Sequence, residues 1–488
     1  MEAAATEVAG ELGALLRFSY GIGHVLNDIC ASMWFTYLLV FFHLVLKFDA
    51  TNAGLLMLVG QVADALATPF VGIEVDRGAT GCSWNCLARL GFGHRKTWHL
   101  VGTLCVLASF PFIFFPCIGC ESSDEWAQLI YYSAFIVIFQ FGWASVQISH
   151  LSLIPHLSPH EHQRTKLIAI RYTFTVISNI LVYVITWTIL HMTSDITDDQ
   201  IGPQDMFKFQ HIVLIGLAIG IFCSIFFHCG TPEPPPTRSM SIDSSQEIIE
   251  PNLPARRKMS PKKFMKVPQF YQVALLYMCT RLFVNLSQVY MPLYLHDSLK
   301  VNAEALATVP LAMFLSSFAF SFLVGHVNKF CGRKISYLFG ALLGGGACAW
   351  VYFGTGDFYS KYEIYGVASL FGAGSSVLLV TSLGITADFI GSDSESGAFV
   401  YGSMSFADKL SNGLAVTAIQ SFKCLTECPH YYRNMLSFVC GGAALLGFLA
   451  TVTLIPRKSH NEDATQYNRL ENEVHEADNS ENHSVQEH

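Results

Sequence analysis

"GQVADALATPFVGIEVDR", residues 60–77, is mostly apolar yet carries a full carboxylate at Asp64. On insertion scales an ionisable group in the hydrocarbon region costs at least ~2.5 kcal/mol, so its presence there points to a pathway or an internal partner. The run ends in Gly72-x-x-x-Asp76-Arg77 and, after an insertion, Gly93-x-Arg95-Lys96. A spanning helix over 53–75 that closes on a charged loop is the expected structure.

The rest of the chain follows the same pattern. Its 488 residues are 52% hydrophobic and 14% charged, with a mean hydropathy of +0.39, against about 25% charged in a soluble domain. Segments of roughly 20 apolar residues cross a hydrocarbon core. Twelve are read, at 18–42, 53–75, 98–117, 127–153, 166–190, 210–229, 268–294, 304–326, 335–354, 363–387, 398–421 and 434–455. The expected fold is an all-α membrane protein of twelve transmembrane helices in two six-helix halves, 17–229 and 268–456. Acidic residues Glu2, Glu7 and Glu11 before the first span argue against a cleaved leader, so the first helix is expected to direct its own insertion.

Lys and Arg set the orientation, because positive charge stays on the cytoplasmic side. With both termini cytoplasmic, 20 of the 29 lie in cytoplasmic segments and 6 on the opposite side. The remaining three, Arg171, Arg281 and Lys409, fall inside spans. Residues 1–16 form a short cytoplasmic segment. The Pro-, Ser- and Lys/Arg-rich stretch 230–267 reads as a linker whose basic cluster, Arg256 to Lys266, can meet anionic lipid. The polar tail 457–488 contains Tyr467-Asn-Arg-Leu470, the form of a sorting signal read by adaptor proteins.

Most of the fourteen cysteines lie in spans as small buried hydrophobes. Cys117 with Cys120, and Cys424 with Cys428, face the non-cytoplasmic side, where either pair can oxidise. Cys82 and Cys86 lack partners at zinc spacing, so no metal site is expected. No nucleophile–base constellation, cofactor motif or nucleic-acid feature appears, which excludes covalent catalysis.

The deepest charges are Asp28, Asp64, Arg171, Arg281 and Lys409, while Asp388 and Asp408 lie nearer cytoplasmic helix ends. In helix one His24, Asn27 or Asp28, and Ser32 share a face at helical spacing. In helix four Gln140, Trp143, Gln147 and His150 do the same, and in helix seven Arg281, Asn285 and Gln288. His24 and His150 are candidates for titration in the physiological range.

A glycine turn with a basic pair recurs after helix eight as Gly325-x-x-x-Lys329 and Gly332-Arg333-Lys334. The repeat resembles the cytoplasmic loop motif of the major facilitator superfamily. Ser19-Tyr20-Gly21-x-Gly23 with Asp28, Asp64-x-x-x-x-Pro69, "SLIPHL" at 152–157 with Arg164 and Arg171, and "TADFIGSDSESGAFVYGSMSFADK" at 386–409 resemble its glycoside-pentoside-hexuronide cation symporters. "LNDICASMWFTYLL", "FIVIFQFGWASVQISHLSLIP" and "SGAFVYGSMSF" are similar to lysosomal and melanosomal members of that branch.

The resemblance implies a transporter that imports cysteine into the organelle, supporting pigment synthesis and lysosomal cystine supply. It also implies that Asp28 binds substrate, that Asp64 is the first cation-site aspartate with Lys409 beside it, and that Asp76, Arg77, Arg95 and Lys96 form a cytoplasmic gate. Sodium-using members carry a second aspartate where this chain has Thr68, and a further one where it has Gln147. One carboxylate suits a proton better than sodium, since a lone buried carboxylate tends to a raised pKa. Asp28 can take the ammonium of a zwitterion and Arg281, or else Arg171, its carboxylate. Trp143, Gln147, Asn285 and Gln288 would shape the pocket. Arg171 can equally pair with Asp28 or Asp64.

Overall fold

The computed structural model describes residues 12–77, 93–120, 123–158, 161–192, 200–233, 265–390, 394–423 and 430–454, and all regular structure among them is helical. The first half holds α1 (Ala14–Val45), α2 (Ala50–Arg77), α3 (His94–Ile113), α4 (Glu125–Leu157), α5 (Glu161–Met192) and α6 (Met206–Gly230). The second begins with α7 (Pro268–Leu293) and a helix registered as Ala305–Phe353. Gly332 breaks the latter at φ 78°, ψ 158°, a backbone region open to glycine and strained for other residues. It therefore comprises two arms, α8 (305–331) and α9 (333–353). Then come α10 (Ile364–Ile390), α11 (Ser394–Lys423) and α12 (Tyr431–Thr453).

Among the described residues nine helices are long and apolar enough to cross a membrane, the broken one counted once. α7 and α11 fall short of that hydropathy, and the reason is chemical. They carry Arg281, Asn285 and Gln288, and Asp408, Lys409 and Asn412, which the bundle interior has to satisfy.

α1 is 83% buried over its most apolar stretch and α10 67%, against 39% for α6, whose Phe222 and Ile225 stay exposed as a lipid-facing surface would be. The two halves meet where α1 packs on α7, α2 on α11 and α5 on α8. Close backbone approach within a half depends on missing side chains, as is usual between membrane helices. A Cβ on Gly102 of α3 would lie 2.7 Å from the Gly142 carbonyl of α4, and a Cβ on Gly142 would lie 2.8 Å from that of Gly102.

α1 is interrupted between Ile22 and Val25. A break exposes carbonyls that lipid cannot satisfy, and two buried histidines answer it. His150 of α4 donates from Nε2 to the Tyr20 carbonyl at 2.8 Å, and His99 of α3 approaches that of Gly23 with Nε2 at 3.0 Å. His150 is therefore tied to the break, stacked on the Tyr20 ring at 4.2 Å.

Cys117 and Cys120 are joined. Cys82, Cys86, Cys424, Cys428, the basic cluster of the linker up to Lys263, Tyr467, Leu470 and the side chains of Asp76 and Arg77 lie outside the described residues, while Lys266 is described and exposed.

Candidate functional site

The α1 break sets Asp28 one turn beyond His24, and the two side chains meet with Nδ1 2.9 Å from Oδ1. On its other edge His24 Nε2 lies 3.0 Å from Nη2 of Arg171 on α5. A guanidinium only donates, so Nε2 accepts and the ring proton sits on Nδ1, directed at Asp28. Thr175, one turn along α5 from Arg171, donates to the second Asp28 oxygen at 2.9 Å. Arg171 bonds His24, which in turn meets Asp28.

The second half holds its own pair. Arg281 Nε donates to Asp408 Oδ2 at 2.9 Å, and Asn412 Nδ2 donates to Asp408 Oδ1 at 2.6 Å. Asp408 is only 3% exposed. The sequence placed it nearer a helix end, but it lies midway along α11 (Ser394–Lys423) and is buried against Arg281 of α7. The bond to Arg281 uses Nε, which keeps the terminal fork of the guanidinium in the geometry that binds a carboxylate bidentately.

Asp64 and Lys409 meet across the halves, 2.7 Å apart. Thr68 joins both, donating to Asp64 Oδ1 at 3.0 Å and accepting from Lys409 Nζ at 3.0 Å. Asp64 thus shares its site with a cation. An ammonium occupies the position beside it, and the residue replacing the second aspartate is a ligand of that ammonium.

Between the halves lies a cavity of about 190 Å³. Tyr172, Thr175 and Asn179 of α5 form one wall; Gln288 of α7, Ser317 of α8 and Ser375 of α10 are the polar groups of the other. Gly372 of α10 completes it, because a Cβ there would run into the Met313 carbonyl. Thr175 links this cavity to Asp28, and Gln288 reaches Thr36 of α1 at 3.3 Å. Asn285 faces a smaller recess shared with Gln61 and Asn412. Trp143 and Gln147 bond each other, Nε1 to Oε1, at 2.9 Å, and the Trp143 carbonyl accepts from Asn27 at 3.0 Å. Neither lines the larger cavity.

Of the expected gate residues, Arg95 and Lys96 begin α3, where Glu233 just beyond α6 accepts from both backbone N–H groups at 3.1 and 2.9 Å. The positive end of a helix favours such a carboxylate. Gly93, at φ 83°, leaves the space that the Glu233 side chain fills. Sequence reasoning missed Thr175, Asn412 and Glu233. The first two stand three to four residues from charged neighbours, a signal available in principle, whereas Glu233 sits in a Pro-rich stretch with no periodicity to mark it.

The chain matches the family of MFS/sugar transport proteins over residues 19–421. It is 47% identical over 460 residues to Major facilitator superfamily domain-containing protein 12 of Homo sapiens, covering 91% of this chain and 94% of the human one. With the Mus musculus protein of the same name it shares 45% identity over 468 residues, 93% of this chain and 96% of the other. The fold is similar to that of a D-xylose-proton symporter, with a TM-score of 0.64, 15% identity, and 91% and 98% of the two chains covered. It is also similar to that of the nucleoside transporter NupG, with a TM-score of 0.61, 12% identity, and 91% and 100% covered. The chain therefore belongs to the MFS/sugar transport family, as a multi-pass membrane transporter and not an enzyme.

Proposed function

We propose that this transporter moves cysteine from the cytosol into lysosomes and melanosomes by alternating access. The observation that carries the reading is the connection of Asp28, through Thr175, to a cavity between the halves. A zwitterion needs an anion for its ammonium and a cation for its carboxylate. Asp28 supplies the first, and the terminal fork of Arg281 the second. The cavity, at about 190 Å³, is smaller than the ~300–1,000 Å³ typical of drug-sized ligands. That size favours a small amino acid over a lysolipid.

Proton coupling is assigned to Asp64 with Lys409, and to Arg171, which contacts His24 beside Asp28. Asp76, Arg77, Arg95 and Lys96 close the cytoplasmic end, and Tyr467 with Leu470 addresses the protein to its organelle through sorting adaptors. Uptake of radiolabelled cysteine into isolated organelles tests the reading. Asp28→Asn with Arg281→Ala should abolish it at normal protein level. Unchanged uptake would leave a scaffold role, and uptake outcompeted by lysolipid would favour a lipid carrier.

A further inference from the structure

The end of the bundle opposite the basic loops is held shut by bonds that cross between the halves. His43, at the end of α1, places Nδ1 3.1 Å from the Phe48 carbonyl and Nε2 2.7 Å from Nζ of Lys423, the last residue of α11. An ammonium has only hydrogens to offer and a carbonyl only lone pairs. Nε2 therefore accepts, Nδ1 carries the proton, and His43 is neutral in this geometry.

Lys423 also donates to Asp297 Oδ2 at 2.8 Å and to Tyr432 at 3.1 Å. The other Asp297 oxygen faces His296 Nδ1 at 2.7 Å, and His296 Nε2 lies 3.0 Å from the Ile201 carbonyl in the first half. Both partners of His296, a carboxylate and a carbonyl, are acceptors. His191 of α5 and Glu304 before α8 add a further crossing at 2.7 Å. At the basic end, by contrast, Arg95 pairs with Glu233 and Arg333 with Asp388, each within its own half.

We propose that Lys423 is a gating residue that closes this end only while His43 is neutral, so that protonation of His43 releases the gate. A protonated His43 would turn an N–H toward the ammonium and lose its bond to Lys423 across the halves. The bond from Lys423 to Asp297 lies within the second half, so it does not join the halves in its place. Lys47, beyond the end of α1, adds positive charge near His43, and Tyr432 of α12 stands behind Lys423. The carboxylate of Asp297 does not titrate in the same range. Burial raises its pKa, but the hydrogen bond from His296 and the charge and hydrogen bond of Lys423 outweigh this and bring it to about 2. An imidazole, unlike that carboxylate, ordinarily changes charge between about pH 5 and 8.

The proposal rests on alternating access and not on which solute is carried, so its test reads the gate directly. Hydrogen–deuterium exchange of the full chain in lipid nanodiscs, corrected for intrinsic rate, is followed over 41–48 and 294–300 at about pH 7.5 and 5. Exchange there should rise roughly tenfold on acidification, within the usual range of coupling between two sites. His43→Gln, which keeps an acceptor and cannot be protonated, should stay protected at both values. His43→Arg should exchange fast at both. Should His43→Gln lose protection throughout the chain, Lys423→Gln carries the test and should leave only these two segments open, at either pH. Flat exchange in the native chain, or an undiminished pH response in His43→Gln, overturns the proposal. A pH-gated opening without cysteine flux would instead overturn the substrate reading and leave the gate standing.

Discussion

Lys409 of α11 reaches across the halves to Asp64 of α2, and the 2.7 Å pair lies near the middle of both helices with each side chain about one-seventh exposed or less. Removing one partner of such a pair leaves an unneutralised charge, at a cost of roughly 3–5 kcal/mol. Asp64→Asn is therefore expected to lower the melting temperature of the purified protein strongly, and Asp64→Asn with Lys409→Gln to recover most of the loss. A single variant as stable as the native chain would show that the pair contributes little.

The same geometry predicts the response to sodium. Lys409 donates to both Asp64 and Thr68, the two groups that a cation at this place would use. Flux should not change when sodium is replaced by choline, and it should respond to pH. Uptake that requires sodium would mean that the ammonium leaves this position during transport.

Asp28→Asn keeps the shape of the side chain but removes the charge that accepts from Thr175 and His24. A hydrogen bond to a charged group contributes about 1.5–3 kcal/mol, so apparent substrate affinity should fall by about 10- to 100-fold. Concentration dependence of uptake separates this from a loss of folded protein, which would lower the maximal rate alone.

Asp297 gives a prediction with a defined sign. Its pKa in the folded chain, about 2, lies below the ordinary carboxylate value of 3.8. Its contribution to stability is thus fully present above the ordinary value and is lost as pH falls through about 2. Between about pH 5 and 8 the destabilisation caused by Asp297→Asn should be constant. A destabilisation that vanishes near pH 5 would place the titrating group on this carboxylate instead of on a histidine.

Glu233→Gln retains an acceptor but loses the charge at the start of α3, and Glu233→Ala loses both. Replacing a capping side chain by Ala typically costs about 0.5–2 kcal/mol. The Ala variant should show faster amide exchange over residues 93–98 with the rest of the bundle unchanged, and the Gln variant an intermediate effect.

The fold was legible in the sequence because membrane spans are long, apolar and bounded by charge. Legibility ended where the interior is polar: α7 and α11 are weak spans for the same reason that they bear Arg281, Asp408 and Lys409. Asp64 with Lys409 was anticipated as a neighbouring pair. Asp408 as the partner of Arg281 was not, because the choice among several carboxylates depends on how two helices rotate against each other. His24 was seen as part of a stripe, but its place between Asp28 and Arg171 required α5 to be positioned. The bonds of Lys423 lay further out of reach, since they join residues 43, 297 and 423 from three separate helix ends.

The cavity between the halves belongs to neither of them. α5 supplies Thr175 and Asn179, while α7, α8 and α10 supply Gln288, Ser317 and Ser375. On the proposed function, a solute seated there would be held from both sides and act as a temporary cross-link. Recognition then amounts to a test of whether one small molecule can join two rigid bodies, and a solute that satisfies one wall alone binds without letting the protein turn over.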